Sequence, residues 1–300
     1  MDLAALFFAF VSAILMGTIG VFSKITGLPA ELITFFRLGI GALFMLIFLL
    51  LSRQAGLLRR WPGWPVLFNG GFLAGFIIFY VQAMNYTSMA NAIMLVYLAP
   101  LAASLVAHFF LRERLTLVGL GLICLALFGF AMMMEFDLEI SRNSAEFIGI
   151  CLGLLALTCY AGFILLNRLI AADVHVYART FYQLFTGALL MLPLVIYSVD
   201  QLSAGDIPWM IGTGFFPGFL AILFAVTALS RLPAATFGTI AYIEPVAVVV
   251  FGWSLFGESM TPLQIGGCLL IIISGILKTV AESVGQKRVL PSEETCGQDV

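Results

Sequence analysis

The sequence predicts an all-α integral membrane protein, with ten transmembrane helices arranged as a 5+5 inverted repeat. Three observations lead there. Of its 300 residues 62% are hydrophobic and only 10% charged, where a soluble domain carries about 25% charged residues. The apolar residues fall in runs long enough to cross a bilayer, which takes about 20 residues as a helix. The second half of the chain also echoes the first at a nearly constant offset.

With 14 Lys+Arg against 16 Asp+Glu, the chain has no basic face for nucleic acid and no polar coat for water. The solvent it fits is lipid. Cys124, Cys151, Cys159, Cys268 and Cys296 form no C-x-x-C pair, and four lie in apolar runs, where a thiol acts as a small hydrophobe. Neither a disulfide framework nor a zinc site is expected.

The apolar runs cover 3–25, 31–51, 65–86, 89–111, 115–134, 147–170, 177–197, 208–229, 235–257 and 262–281. Barrel strands would be half as long and alternate in polarity. The first run lacks a basic leader and is too long for a signal peptide. Basic residues orient the chain. With the N-terminus in the cytoplasm, the inner loops hold Arg53, Arg59, Arg60, Arg112, Arg114, Arg168, Arg179, Arg231, Lys278, Lys287 and Arg288, and the outer loops only Lys24 and Arg142. Both termini are therefore expected inside, in the plasma (inner) membrane. Residues 284–300 are polar and read as a disordered cytoplasmic tail.

The repeat is found by sliding the chain along itself. An offset of 145 pairs Ala90 with Ala235, Tyr97 with Tyr242, Pro100 with Pro245, Glu113 with Glu258 and Thr116 with Thr261. An offset of 143 pairs Gly71 and Gly75 with Gly214 and Gly218, and 144 pairs Lys24 with Arg168. An offset of 146 pairs Thr34-Phe35 with Thr180-Phe181 and Gly41-Ala42-Leu43 with Gly187-Ala188-Leu189. The first repeat spans 1–139 and the second 140–283. Five helices are an odd number, so the second copy enters the membrane from the opposite side. Many secondary transporters use this design to alternate between outward- and inward-open states. The arginines flanking Glu113 are lost around Glu258, as a reversal of sides requires.

The segment Pro29 to Arg37 (PAELITFFR), the pattern Ala90…Tyr97-Leu98-Ala99-Pro100…Arg112-Glu113-Arg114…Thr116 and its echo Ala235…Tyr242-Ile243-Glu244-Pro245…Glu258…Thr261 resemble the drug/metabolite transporter superfamily, in particular its EamA-type exporters. The resemblance covers residues 3–282. It implies export of small metabolites, with the ten-helix exporters of aromatic and neutral amino acids as the nearest functional analogues. A multidrug exporter or an uptake permease of the same fold is the alternative. Many relatives place a Trp in the first helix where this chain has Met16-Gly17.

No ATP-binding G-x-x-x-x-G-K-[ST], no H-E-x-x-H and no G-x-S-x-G motif is present, so neither enzyme chemistry, a metal nor a cofactor is expected. His108 and His175 read as interfacial and solvated. A channel would want a ring of like charges or carbonyl loops. The expected partners are a small-molecule substrate, amino acids first, and the bilayer, with the protein a monomer.

Glu244 lies near mid-membrane, where an unpaired carboxylate is costly and marks a functional site by default. It is expected to face the cavity and take a substrate ammonium or a coupling proton, or else to be a protonated structural group. Its repeat partner is Ala99, so the fold itself does not require it. Arg37 is the second charge, on the outer side. It holds a substrate carboxylate, pairs with Glu31, or snorkels to the interface. Pro100 and Pro245 interrupt corresponding helices, and such paired breaks point to a transport site. They read as hinges or as plain kinks. Tyr97, Tyr242, Tyr80, Gln82, Asn85, Asn91, Met94 and Tyr160 are polar or soft groups within spans, expected to face inward. Tyr86, Tyr177, Tyr197, Trp61, Trp64 and Trp209 read as interfacial belt residues. The cavity they imply is broad and mostly apolar, with weak, broad specificity.

Overall fold

A computed structural model describes residues 2–87, 89–111, 113, 115–136, 144–170, 174–196 and 198–289. Arg112, Arg114, Arg142, Tyr197, Cys296, the 139/140 boundary, residues 290–300 and the side chains of Asn91, Lys287 and Arg288 lie outside what it describes. Among the described residues all regular structure is helical.

The elements are α1 (Leu3–Thr26), α2 (Ala30–Leu51), α3 (Trp64–Ala83), α4 (Met89–Tyr97), α5 (Ala99–Phe110), α6 (Leu117–Met133), α7 (Ser144–Leu169), α8 (Val176–Val195), α9 (Ile207–Thr213), a π-helical turn (Gly214–Leu220), α10 (Ala221–Leu229), α11 (Ala234–Ala241), α12 (Ile243–Phe256) and α13 (Pro262–Val289). Eight helical stretches, some built from consecutive elements, are long and apolar enough to cross a membrane, and α6 and the stretch Pro262–Lys278 are shorter apolar helices. Phe109, Phe110, Leu117 and Leu255 stand exposed on the outside of the bundle, as side chains do when lipid is the solvent.

Two expected spans are broken helices. Proline lacks an N–H and clashes with the preceding turn. Pro100 breaks the run 89–111 between α4 and α5, and Pro245 breaks 235–257 between α11 and α12. A third span, 208–229, is interrupted as well. There Pro217 sits inside the π turn, where the N–H of Ala221 reaches the carbonyl of Phe216, five residues back. The last helix overruns its expected end. It continues to Val289, so 284–289, expected as disordered tail, prolong α13.

The breaks face each other. The hydroxyl of Tyr242 donates to the carbonyl of Tyr97 over 2.5 Å, and their rings lie 5.8 Å apart. Both tyrosines pack into an apolar cluster with Phe130, Ile123 and Ile271 of α6 and α13. Small residues let helices touch elsewhere. A Cβ on Gly41 would meet the backbone of Gly218 at 3.1–3.2 Å. On α3, Gly70 crosses α8 most closely, and Gly75 lies against Cys159 of α7.

Local geometry recurs at equivalent places in the two halves. Thr116 caps α6 by accepting from Gly119 N–H at 3.0 Å, and Thr261 caps α13 by accepting from Gln264 N–H at 3.3 Å. Gln264 answers with its own oxygen on the Thr261 N–H, a capping box. The N–H of Glu113 bonds the carbonyl of Ala107 and that of Glu258 the carbonyl of Gly252, both at 3.2 Å. Gly257, at φ 67°, gives the left-handed turn that ends α12 and directs Glu258 back over the helix.

A Cβ at Gly70 would lie 2.8 Å from the carbonyl oxygen of Gln183 and 2.9 Å from Thr186 Cβ, whereas one at Gly121 would meet nothing within 4 Å. Gly70→Val should therefore destabilise the detergent-solubilised protein by about 1–3 kcal/mol. Gly121→Ala should be neutral or slightly stabilising through helix propensity. Thermal unfolding of the two variants beside the parent checks both.

Candidate functional site

Arg37 is the centre of the site, and it does not snorkel. It points into the bundle and is only 7% exposed. Its Nε donates to the carbonyl of Pro217 at 3.2 Å, and Nη2 donates to the thioether of Met16 at 2.8 Å. The π turn explains the first bond. The Ala221 N–H, which an α-helix would give to Pro217, goes to Phe216 instead. The Pro217 carbonyl thus has a lone pair for the guanidinium. Gly218 lets α2 come this close, because a side chain there would run into the Arg37 carbonyl.

Glu244 is the opposite charge. It stands in the first turn of α12, just past the break at Tyr242, and lies within electrostatic reach of Arg37. Helix α1 runs between them. Met16 touches Arg37, and a Cβ on the next residue, Gly17, would lie 3.1 Å from the Glu244 carbonyl oxygen and 2.9 Å from Ala247 Cβ. Any side chain at residue 17 would push α12 away. Arg37 and the first turn of α12 thus both pack on α1, at neighbouring residues. Glu31 is engaged elsewhere, accepting from Ser198 Oγ at 3.4 Å.

An aromatic wall flanks the charges. Tyr80 and Tyr160 stand near Glu244, and Tyr160 also near Arg37. Phe76 stacks on Tyr160 with centroids 4.9 Å apart and on Tyr80 at 6.4 Å. Glu244, Met16, Phe76, Tyr80 and Tyr160 lie among the helices, yet each keeps part of its surface open.

The expected site residues divide into three groups. Glu244, Arg37, Tyr80 and Tyr160 come together. Tyr97 and Tyr242 meet at the helix breaks, with the Tyr242 side chain fully enclosed, and Met94 packs against the same cluster. Gln82 and Asn85 go elsewhere. Two residues on a helix are about 200° apart, so Tyr80 facing Glu244 turns Gln82 away. Gln82 lines a separate small cavity of about 60 Å³ with Glu31, Ile78, Val81, Met191 and Leu194, and Asn85 donates to its oxygen at 3.4 Å. Met16, Phe76 and the Pro217 carbonyl belong to the site and were not anticipated. For Pro217, the signal was a third mid-span proline next to a small-x-x-x-small pair.

His108 and His175 carry local backbone bonds. Leu115 N–H reaches His108 Nδ1 at 3.2 Å, and Tyr177 N–H reaches His175 Nδ1 at 3.2 Å, capping α8. Among the described residues no group of three His, Cys, Asp or Glu is placed to hold a metal.

Losing one of two interacting charges leaves the other without its countercharge, while losing both strands neither. Arg37→Gln alone should therefore lower thermal stability more than Arg37→Gln combined with Glu244→Gln. A double-mutant cycle of unfolding in detergent reads this coupling, and additive effects would mean the charges do not interact.

Known proteins are similar to this chain in sequence or in fold. The pseudopaline exporter CntI of Pseudomonas aeruginosa (strain UCBPP-PA14) is 29% identical over 252 residues, 83% of this chain and 86% of that protein. The threonine/homoserine exporter RhtA of Escherichia coli (strain K12) is 27% identical over 255 residues, 83% of this chain and 81% of that protein. A solved crystal structure superposes with a TM-score of 0.81 over 92% of this chain and 98% of that one, at 20% identity, which is a likeness of fold alone. The family description EamA-like transporter family matches twice, over residues 3–134 and 147–279. With both halves matched and the helical bundle in place, the chain belongs to the EamA-like transporter family.

Proposed function

We propose that this protein is a secondary transporter that exports small zwitterionic metabolites, neutral or aromatic amino acids first, across the bacterial inner membrane. It works as a monomer with both termini in the cytoplasm. One observation carries the reading. A buried arginine and a half-buried glutamate of opposite charge stand against α1 near an aromatic wall. A zwitterion offers each the complementary group, its carboxylate to Arg37 and its ammonium to Glu244. The stacked rings of Phe76 and Tyr160 suit an apolar or flat side chain.

The means of movement is alternating access about the helix breaks. The family match in both halves and their shared capping geometry support ten helices in two inverted sets of five. In such a repeat the two halves exchange conformations, so a mid-bundle site opens to each side in turn. Pro100 and Pro245 give the broken helices their freedom to bend. The Tyr242–Tyr97 bond latches the breaks together in the conformation described. The names of two relatives specify export, which favours outward movement over uptake. Glu244 is also the deepest acid available to carry a coupled proton.

Flux in proteoliposomes, with and without a pH gradient, tests the proposal. Labelled neutral or aromatic amino acids should move through the parent protein. Glu244→Gln and Arg37→Gln should each lower the rate at least tenfold, and Glu244→Gln should remove any response to the gradient. Undiminished flux in Glu244→Gln with an unchanged pH dependence would overturn the assignment. Flux of cationic drugs but of no zwitterion would favour the multidrug alternative.

A further inference from the structure

Two ion pairs that the transport site does not use stand at opposite ends of the bundle. At the Asp2 end, Arg168 on α7 pairs with Glu113, with its Nε at 2.8 Å and Nη2 at 2.7 Å from Glu113 Oε1. That end is fixed by α1, whose first residues meet Arg231 just after α10 through Asp2 at 3.1 Å. Ala234, at the start of α11, gives its N–H to the other Glu113 oxygen at 2.9 Å, and Arg168 Nη1 reaches the carbonyl of Leu229 at 3.2 Å. One carboxylate therefore ties together the turn after α5, the end of α7 and the start of the broken helix bearing Tyr242 and Glu244. At the far end of α1, Lys24 pairs with Glu258 and lies 4.5 Å from the ring centre of Phe256.

The two pairs are counterparts in the sequence. Lys24 and Arg168 are 144 residues apart, and Glu113 and Glu258 are 145 apart. One pair takes its base from the first half of the chain and its acid from the second, and the other pair does the reverse. Both acids are placed by the same backbone bond, Glu113 N–H to Ala107 and Glu258 N–H to Gly252. The base–acid pair that joins the halves, and the backbone bond that places its acid, thus recur at both ends, while Asp2–Arg231 and the Ala234 bond belong to the Asp2 end.

We propose that Glu113–Arg168 and Lys24–Glu258 are the two gates of the transport cycle, broken in turn to open the Arg37–Glu244 site at the Asp2 end or at the Lys24 end. Glu113, Arg168, Lys24 and Glu258 are positioning residues that touch no substrate. The inference rests on alternating access as proposed above. Both gates are closed in this structure, which is the occluded arrangement. They differ in strength. The side chains of Lys24 and Glu258 are 47% and 52% exposed, those of Arg168 and Glu113 23% and 17%. Water screens the outer pair more, so it yields more readily.

The test reads sidedness without needing flux. Phe76→Cys, in a background where the native cysteines are serine, places one thiol in the aromatic wall. Reconstituted vesicles of known orientation are labelled from either face with a membrane-impermeant maleimide. Lys24→Gln should raise labelling from the Lys24 face at least threefold and lower it from the Asp2 face. Arg168→Gln should do the opposite, and so should Glu113→Gln, which keeps an acceptor for the Ala234 N–H. The charge swap Lys24→Glu with Glu258→Lys should restore the parent rates, which also shows that the chain folds. Equal changes on both faces, no change on either, or a failure of the swap to restore would overturn the gates. Opposite shifts in sidedness without amino-acid flux would keep the gates and refute the substrate assignment.

Discussion

The hydrocarbon core offers no water, so every backbone polar group and every charge inside it must find a partner within the protein. Uninterrupted helices meet this demand by themselves. Each interruption must be repaired, and the repairs build the site. At the breaks between α4 and α5 and between α11 and α12, the Tyr242 hydroxyl serves the Tyr97 carbonyl. At the π turn, the shifted register leaves the Pro217 carbonyl to Arg37. A helix defect that would otherwise be a cost becomes the cradle of a buried cation.

That cradle explains how a buried arginine can persist among so many apolar residues. Arg37 has a carbonyl and a thioether as fixed partners, and Glu244 supplies the countercharge. The two halves share shape but not charge. By the offset of 146, the counterpart of Arg37 is Gln183, a fully buried amide that donates to Asn167 at 3.0 Å. By the offset of 145, the counterpart of Glu244 is Ala99. Two halves that both match one family thus differ at these positions, with charges in one place and neutral residues in its counterpart. At the counterpart positions Gln183 and Ala99 fill the same places without charge.

Much of the architecture was legible because lipid imposes a simple rule on sequence. Long apolar runs mark the helices, and Pro100 and Pro245 mark the broken ones. Glu244 stood out because a carboxylate at that depth is costly. Arg37 was harder to read. Two turns from the start of its helix, it is close enough to the interface to snorkel, and its inward direction depends on α1 and the π turn, which are distant in sequence. Gln82 and Asn85 were grouped with Tyr80 by proximity along the chain, and the helical turn separates them. The first turns of the expected tail were missed because α13 continues into polar residues up to Val289, beyond the apolar run that revealed it.

By itself, the sequence determined that the chain is a helical membrane protein with two related halves, where its helices break, and that Glu244 is out of place in lipid. Each of these follows from composition, spacing or a local backbone rule. Only the tertiary structure decided which groups meet. It turned Arg37 inward onto Pro217 and Met16, brought Phe76 beside Tyr160, and joined Lys24 to Glu258 and Arg168 to Glu113. Those ion pairs link residues 55 and 234 positions apart, and they depend on which faces of the helices pack together. A pattern of residues along one chain carries the faces, while the choice of neighbour belongs to the packed bundle.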